Sequence, residues 1–223
     1  MKLALISDIH ANFEALNTLS GTLMQADKVL CLGDLVGYYC QVNEVIDYIR
    51  ALDALCILGN HDYFLLHECP HNVSPAVRFG IEYAASVISA SNRQWLETLP
   101  LTWGGFLGNV SILLTHGSPW RPLNDYLYAD SPLLEQLGQF NYDIVAFGQT
   151  HRAFQRFHQG SYLLNPGSVG QSRDRQSRAC AMVVDTSTMA IEIIESTFDG
   201  NYVINLALMN GAQKWITKHL KDA

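Results

Sequence analysis

Acidic, amide and imidazole side chains collect in five short clusters of this sequence, and each cluster follows an apolar run. The clusters are Ser7-Asp8-Ile9-His10, Gly33-Asp34, Gly59-Asn60-His61-Asp62, Thr115-His116-Gly117 and Gly148-Gln149-Thr150-His151. Carboxylate oxygens, amide oxygens and imidazole nitrogens together are ligands for divalent metals of intermediate hardness, such as Mn, Fe or Zn. No cysteine lies in these clusters, which argues against a structural zinc site built from thiolates. The sequence therefore predicts a metal site with mixed oxygen and nitrogen ligands.

The clusters contain more potential ligands than a single ion needs. The set comprises carboxylates, one amide and four imidazoles: Asp8, Asp34, Asp62, Asn60, His10, His61, His116 and His151. Two ions about 3.5–4 Å apart, bridged by a carboxylate, use such a set, and that arrangement is typical of hydrolytic enzymes. Each residue alone has an ordinary alternative, because Asp and Asn often cap helices or occupy turns. The prediction of a metal site therefore depends on all of these residues occurring together and in this order, and not on any one of them.

The apolar runs before the clusters are typical of buried strands. They cover residues 3–6, 28–32, 54–58, 110–114 and 142–147. Their Ile and Val content and the nearby glycines favour strands over helices. Ligands bind beyond the carboxyl ends of the strands in an α/β sheet, so we expect the five clusters to converge on one site.

Helical patterns lie between these runs, and further strand patterns follow them. Helices are expected at residues 12–24, 43–52, 74–90, 91–99 and 131–138. Asn12, Ser74 before Pro75 and Ser131 before Pro132 are typical helix starts, and Ser91 with Gln94 resembles a capping box. Strands are expected at 161–164, 178–185 and 190–197, and a final amphipathic helix at 206–220.

Composition and charge narrow the class of protein. The 223 residues are 48% hydrophobic and 16% charged, which is typical of a folded globular protein. The net charge of -7 argues against bulk nucleic-acid binding, because that activity needs clustered Lys and Arg. Five cysteines without a CxxC pair, an N-terminus unlike a signal peptide and no apolar run of membrane-spanning length favour a cytoplasmic protein without a membrane segment. The oligomeric state does not follow from the sequence.

The five clusters, in this order, resemble those of the calcineurin-like metallophosphoesterase superfamily. The resemblance consists of D-x-H at 8–10, G-D at 33–34, G-N-H-D at 59–62, H-G at 116–117 and G-x-x-H at 148–151. The segment Asn-Pro-Gly-Ser-Val-Gly at 165–170 extends it toward the small bacterial and archaeal phosphodiesterase-like branch. The resemblance implies a four-layer αββα sandwich of two mixed sheets flanked by helices, whereas the strand pattern alone indicates only a mixed α/β (α+β) domain. We expect one domain over 1–223, with a cap loop at 63–74.

The resemblance also implies a role for each site residue. One metal ion is held by Asp8, His10, Asp34 and His151, and the other by Asp34, Asn60, His116 and the residue at position 149. Gln149 lies where the family has a histidine. A neutral amide oxygen in place of an imidazole predicts a weaker or harder second site that favours Mn or Mg over Zn. His61 is expected to protonate the leaving oxygen or to stabilise charge on the phosphate, and Asp62 to orient His61.

The implied activity is hydrolysis of a small phosphorylated substrate by a hydroxide that bridges two divalent ions. Mn is the expected metal, with Fe, Mg and Zn as alternatives, and a phosphodiester, a nucleotide-type phosphoanhydride and a phosphomonoester all stay open as substrates. Arg173 and Arg175 are expected to bind substrate phosphate, because Arg matches its oxygens; a solvated basic turn is the alternative. A second hypothesis is a low-activity scaffold of this superfamily that binds a protein partner, as the retromer scaffold subunit does. The change at Gln149 favours the scaffold, whereas the presence of His61 and Asp62 favours the enzyme.

Other side chains near the clusters have ordinary alternatives. Tyr38, Tyr39 and Phe64 are candidates for stacking on a base, although aromatic residues near a loop more often pack in the interior. His67 and His71 flank Cys69 but match no zinc spacing. We therefore expect the histidines at 67 and 71 to lie in a solvated loop.

Overall fold

Two mixed β-sheets lie face to face in this protein, whose computed structural model describes residues 1–173, 177–214, 216 and 220. The first sheet contains β1 (Lys2–Ile6), β2 (Lys28–Cys31), β3 (Leu55–Cys56), β9 (Arg178–Asp185) and β10 (Ala190–Thr197). The second sheet contains β4 (Thr102–Leu107), β5 (Val110–Thr115), β6 (Ile144–Ala146), β7 (Ala153–His158) and β8 (Ser161–Pro166). The strand orders are β10-β9-β1-β2-β3 and β4-β5-β6-β8-β7.

Parallel pairing of three strands in each sheet directs several chain segments toward one edge. Strands β1, β2 and β3 are parallel to one another, and so are β5, β6 and β8. The remaining strands pair antiparallel at the sheet margins. Because the carboxyl ends of parallel strands lie at the same edge, the loops that follow them can meet.

Helices cover the outer faces of the two sheets. The α-helices are α1 (Phe13–Thr18), α2 (Ser20–Gln25), α3 (Val42–Ala51), α4 (Asn60–Leu66), α5 (Pro75–Val87), α6 (Ala90–Leu96) and α7 (Gly200–Met209), and a 3-10 helix spans Pro132–Phe140. The expected caps Asn12, Ser74 and Ser131 accept hydrogen bonds from backbone N–H groups of the first turns. Each satisfies a donor that the helix cannot pair internally.

Three apolar clusters separate the layers. One lies between the first sheet and the α-helices and includes Ala4 and Ile46, and a second lies between the sheets and includes Leu5 and Leu114. A third packs the outer face of the second sheet against the 3-10 helix through Leu137 and its neighbours. Burial of each such Leu or Ile side chain contributes about 1.5–3 kcal/mol. The predicted four-layer sandwich of two mixed sheets flanked by helices is confirmed.

Several expected helix boundaries were wrong. The helix at 12–24 is interrupted at Leu19, and the capping residue of α6 is Ser89 instead of Ser91. The helix expected at 206–220 lies at Gly200–Met209, because Asp199 caps its start and Gly211, with φ +97°, follows its end. Part of the 206–220 segment lies outside the described residues. Among the described residues, no helix is both long and apolar enough to cross a bilayer.

Candidate metal centre

The predicted ligands meet at the edge of the sandwich where the parallel strands end. Backbone hydrogen bonds join loops of the same sheet: Asp8 N–H donates to the carbonyl of Gly33 at 3.0 Å, and Gly148 N–H donates to the carbonyl of His116 at 2.9 Å. A third bond, from Gln149 N–H to Asp8 Oδ2 at 3.0 Å, crosses between the sheets. The site is therefore assembled from both halves of the sandwich.

Four of the expected ligands form the first group. Asp8 Oδ1 lies 3.2 Å from His151 Nε2, and His10 Nε2 lies 3.1 Å from His151 Nε2. Asp34 Oδ2 lies 3.8 Å from His10 Nε2. All four side chains are buried, so the group is shielded from bulk water.

The second group shares Asp34 with the first. His116 Nε2 lies 3.4 Å from Asp34 Oδ2 and 3.1 Å from Asn60 Oδ1. Asp8 Oδ1 is also only 3.9 Å from His116 Nε2. Both carboxylates therefore adjoin both groups of side chains.

Three of the histidines are held with one ring nitrogen turned toward this centre. Their Nδ1 atoms donate to backbone carbonyl oxygens: His10 to Val36 at 3.1 Å, His116 to Leu32 at 2.7 Å and His151 to Gln171 at 2.7 Å. A carbonyl oxygen only accepts hydrogen bonds, so these contacts leave the Nε2 lone pairs available to a metal. Such backbone anchors are typical of metal-binding histidines.

Unpartnered atoms in the centre fit a bound cation. Two Nε2 lone pairs that face each other at 3.1 Å, as in His10 and His151, repel unless a proton or a cation lies between them. Asp8 Oδ1 and Gln149 Oε1 are buried and have no hydrogen-bond partner within the described residues. Buried polar atoms without a partner are rare in proteins. The donor set and these atoms together fit divalent metal ions.

The electrostatics of the centre favour ionised carboxylates. Burial raises the pKa of Asp8, but His151 and His116 outweigh burial and lower it to about 2. The same opposition, with His116 and His61 as the main positive charges, holds the pKa of Asp34 well below its ordinary value. Burial lowers the pKa of His116, yet the charges of Asp34 and Asp8 raise it to about 10. The centre therefore offers two anionic oxygens and one imidazole that must release its proton to bind a metal.

Gln149 lies beside the second group. Its Nε2 donates to the carbonyl of Leu123 at 3.2 Å, while its buried Oε1 has no partner among the described residues. A Cβ placed on Gly117 would approach this oxygen to 2.7 Å, so glycine at 117 leaves room for the amide. Gln149 also borders the same cavity as Asn60, which is the side of the centre where the second ion is expected.

Left-handed backbone conformations mark the centre independently of its side chains. Non-glycine residues with positive φ include Asp8 (55°), His10 (54°), Asp34 (56°), Gln149 (65°) and His151 (58°). Each such conformation costs about 1–2 kcal/mol outside glycine. Strain of this kind clusters at functional sites, where the surrounding structure enforces it. Gln149 shares this feature with the expected ligands.

His61 is held differently from the other three histidines. Its Nε2 lies 3.9 Å from Asp34 Oδ2, and its ring contacts those of His10 and Tyr38, with centroids 4.7 and 5.0 Å away. No described residue hydrogen-bonds to its buried Nδ1. Burial is the main factor that lowers the pKa of His61. His61 also has a ligand atom near His10 and Asp34, but it has no backbone anchor of the kind that the other three rings have.

The carboxylate of Asp62, which was expected to orient His61, is hydrogen-bonded to the backbone. It accepts hydrogen bonds from the backbone N–H groups of Asp34 (2.8 Å), Val36 (3.1 Å) and Gly59 (3.0 Å). Burial and the charge of Asp34 raise its pKa to about 7. Asp62 therefore holds together the loops after β2 and β3, and it positions Asp34 through the backbone.

The two arginines expected to bind phosphate are only partly described. Arg173 is exposed, and its backbone N–H donates to the carbonyl of His151 at 3.3 Å. Burial raises the pKa of Tyr38 to about 12, and the positive charge of Arg173 acts in the opposite direction on that pKa. Arg173 therefore lies at the mouth of the centre. Arg175 lies outside the described residues.

The other side chains singled out in the sequence lie at the margin of the centre or away from it. Tyr38 and Phe64 line a cavity beside the centre, whereas Tyr39 is buried in the interior. His67 is exposed and its ring contacts Tyr63 at 4.1 Å. Among the described residues, no metal-binding group includes His67, His71 or Cys69.

Supporting residues of the centre were not identified from sequence, although the glycine-rich segment at 165–170 contains two of them. Asn165 Nδ2 donates to the carbonyl of Gly148 at 2.9 Å, and Ser168 Oγ donates to the carbonyl of Asp8 at 2.7 Å. Gln171 supplies the carbonyl that anchors His151. The segment therefore fixes the loops that carry the ligands.

Comparison with known proteins gives relatives along the whole chain. The chain is 31% identical to an uncharacterized protein of Methanocaldococcus jannaschii over 238 aligned positions, which cover 98% of this chain and 96% of that protein. A hypothetical protein of Pyrococcus horikoshii has a similar structure, with TM-score 0.90, 20% identity and coverage of 100% and 99% of the two chains. A metallophosphoesterase of Sphaerobacter thermophilus has TM-score 0.84 and 23% identity over 98% and 97% of the chains. These two structural similarities show a shared fold.

The family follows from a match along most of the sequence. The calcineurin-like phosphoesterase superfamily domain matches residues 1–189, which include every expected ligand and every strand of the two sheets except β10. The expected resemblance is thereby confirmed. The chain belongs to the calcineurin-like phosphoesterase superfamily.

Proposed function

We propose that this protein is a metal-dependent hydrolase of small phosphate esters. The observation that carries the proposal is the arrangement of three histidines around two buried carboxylates. His10 and His116 each turn Nε2 toward both Asp8 and Asp34, and His151 turns Nε2 toward Asp8. Membership of a phosphoesterase family supports the same conclusion. When bound, divalent ions would polarise a phosphate and activate water near neutral pH.

Two ions are proposed, held by the two groups of side chains. The first group is Asp8, His10, Asp34 and His151, and the second is Asp34, Asn60, His116 and Gln149. Oxygen ligands outnumber imidazoles in the second group, so we propose Mn for the protein, with Fe, Mg and Zn as alternatives. A protonated His116 would lose its proton when the second group binds its ion.

His61 is proposed to give a proton to the leaving oxygen. Its Nδ1 has no partner among the described residues, and it adjoins Asp34 without a backbone anchor. Burial lowers its pKa, but an anionic phosphate beside the ring would favour its protonated form. Arg173, exposed beside His151, would bind a phosphate oxygen. These roles require that Asp62 hold the loop of Asp34 in place.

Hydrolysis assays test the proposal directly. Metal-stripped protein would be supplied with Mn, Mg, Fe or Zn in turn and tested on a phosphodiester, a phosphomonoester and a dinucleoside polyphosphate. We expect turnover that depends on added metal and falls about 10²–10⁴-fold in His61→Ala. His158→Ala serves as the control, because that imidazole lies on β7 and pairs with Glu135. Absence of turnover on every substrate with every metal would contradict the proposal.

A scaffold that binds a protein partner is the second candidate, and Gln149 is the observation that favours it. Its side-chain nitrogen donates to the carbonyl of Leu123, and position 149 adds neither an anionic nor an imidazole ligand to the second group. If the protein is a scaffold, we expect it to bind metal without turnover. We also expect His61→Ala to leave its affinity for the protein partner unchanged. We further propose a cytoplasmic location, supported by the free thiols of Cys31, Cys40, Cys56 and Cys69.

A further inference from the structure

A cavity of about 380 Å³ opens beside the candidate metal centre. Asn60 and Gln149 are among the residues that line it, so a molecule in the cavity would adjoin the second group of ligands. The outer walls come from the start of α5 and from the loop that follows His116. Pockets for small molecules begin at about 300 Å³, so this volume suits one compact ring system and not a protein segment.

The cavity is polar but uncharged. None of the described residues that line it is Asp, Glu, Lys, Arg or His. A phosphate chain or another anionic group in this space would lose its hydration without gaining an opposite charge. The charged part of a substrate therefore belongs at the metal centre and beside Arg173, and a neutral part belongs in the cavity.

The walls combine aromatic faces with amide groups. Tyr38, Phe64 and Tyr126 contribute rings, and Asn72 and Asn124 contribute amides. No hydrogen bond within the described residues engages the side-chain amides of Asn72 and Asn124, both of which are exposed. A side-chain amide offers both hydrogen-bond donors and an acceptor, and the edge of a heteroaromatic ring also carries both kinds of group. Aromatic side chains stack on the face of such a ring.

Tyr126 connects this cavity to the metal centre. Its ring lines the cavity together with Asn60 and Gln149. The ring thus lies next to the position expected for the reacting phosphate. A group stacked on Tyr126 would be joined to that phosphate through a short linker such as a ribose.

We propose that this cavity binds the nucleobase of a nucleoside phosphoester whose phosphate lies at the metal centre. The inference rests on the proposed function and narrows its substrate class to nucleotides. Simple alkyl phosphates would leave the cavity empty and bind more weakly. The aromatic residues supply affinity for any base, and the two asparagines distinguish among bases by their hydrogen-bonding edges.

Calorimetric titration of the Mn-loaded protein tests this inference without relying on turnover. The ligands are the nonhydrolysable phosphonate analogue of adenosine monophosphate and methylphosphonate, which carries a similar charge. We expect the nucleotide analogue to bind at least about tenfold more tightly, and Tyr126→Ala to remove most of that difference. Asn124→Ala is a second variant in the same exposed loop, expected to weaken only the nucleotide analogue. Tyr202→Ala, which changes an exposed ring on α7, is the control.

The outcomes separate this inference from the proposed function. Equal affinities for the two ligands in the wild-type protein, or an equal loss of both in Tyr126→Ala, would overturn the nucleobase cavity. Selective binding of the nucleotide analogue by a protein that hydrolyses no phosphoester would support the cavity and contradict the hydrolase. Equal turnover of alkyl and nucleoside esters would support the hydrolase and overturn the cavity.

Discussion

At the scale of single residues, the chemistry of the centre depends on which atom each side chain presents. The order and types of Asp8, His10, Asp34, Asn60, His116 and His151 could be read from the sequence. The hydrogen bonds that anchor the imidazole rings could not be read from the sequence. The carbonyl groups that hold these rings belong to Leu32, Val36 and Gln171, whose side chains do not indicate this role. The hydrogen bonds of Asp62 could not be read from the sequence for the same reason, since its partners are backbone N–H groups.

Gln149 gives a prediction about metal affinity. The substitution Gln149→His offers the second ion an imidazole nitrogen in place of a neutral amide oxygen. We therefore expect the affinity for a second Zn ion to increase by on the order of tenfold. Calorimetric titration of metal-stripped protein with Zn and with Mn measures the change. Gln155→His on β7 controls for an added surface imidazole. Unchanged affinity for the second ion would mean that position 149 does not face it.

At the scale of elements, the loops after β2 and β3 hold the centre together. The carboxylate of Asp62 in α4 bonds to three backbone N–H groups in these loops, and Gly33 lies in close contact with Gly59. The short strand β3 and the helix α4 were harder to predict. The sequence indicates a strand over five residues at 54–58, whereas pairing with β2 ends at Cys56 because the chain must turn to bring Asn60 to the centre.

Asp62→Ala should destabilise the fold as well as the site. The substitution leaves three buried N–H groups without an acceptor, and each costs about 1–3 kcal/mol. We therefore expect a loss of about 3 kcal/mol or more in the free energy of unfolding, measured by urea denaturation of the metal-stripped protein. Asp27→Ala, which removes an exposed acceptor of a single bond from Lys2, should cost less than about 1 kcal/mol. A selective loss of kcat with unchanged stability would instead indicate that Asp62 acts through His61.

Gly33→Ala tests the contact between the two loops. Gly33 has φ +94°, and a Cβ there would lie 2.3 Å from the backbone nitrogen of Gly59. The loops must then separate, so we expect weaker metal binding together with a lower melting temperature. Gly21→Ala is the matched control, because a Cβ at that helical position meets nothing within 4 Å and should stabilise α2 by up to about 1 kcal/mol. Equal behaviour of the two variants would contradict the proposed coupling of the loops.

At the scale of the whole molecule, the two sheets act as one frame for a site that neither could form alone. Asp8, Asp34 and Asn60 come from the first sheet, and His116 and His151 from the second. The apolar runs allowed β1, β2, β3, β5 and β6 to be predicted. Strand β4 was missed because Gly104 and Gly105 weaken its pattern, and β7 because its residues are only partly buried. Pairing between distant strands and the division into two sheets are tertiary properties that local patterns do not contain.

Metal binding should stabilise the whole fold. The centre joins both sheets and contains buried carboxylates and imidazoles, so an ion that binds only the folded chain shifts the unfolding equilibrium. At one hundred times its dissociation constant, one ion contributes about 2.7 kcal/mol. For a chain of this length that corresponds to a rise of roughly 5–10 °C in Tm. Thermal denaturation with and without Mn measures it, and His10→Ala, which removes a ligand of the first group only, should reduce the rise. An equal rise in wild type and His10→Ala would place the ion elsewhere.

The most direct test of the metal-dependent hydrolase is the rate of phosphodiester hydrolysis as a function of the number of ions bound per chain. Metal-stripped protein would be titrated with Mn while bound metal and initial rate are measured on the same samples. We predict no rate in the stripped protein and full rate at two ions per chain, with His61→Ala binding both ions but turning over about 10²–10⁴-fold more slowly. A rate that is independent of bound metal, or two bound ions with no rate in the wild-type protein, would contradict this account.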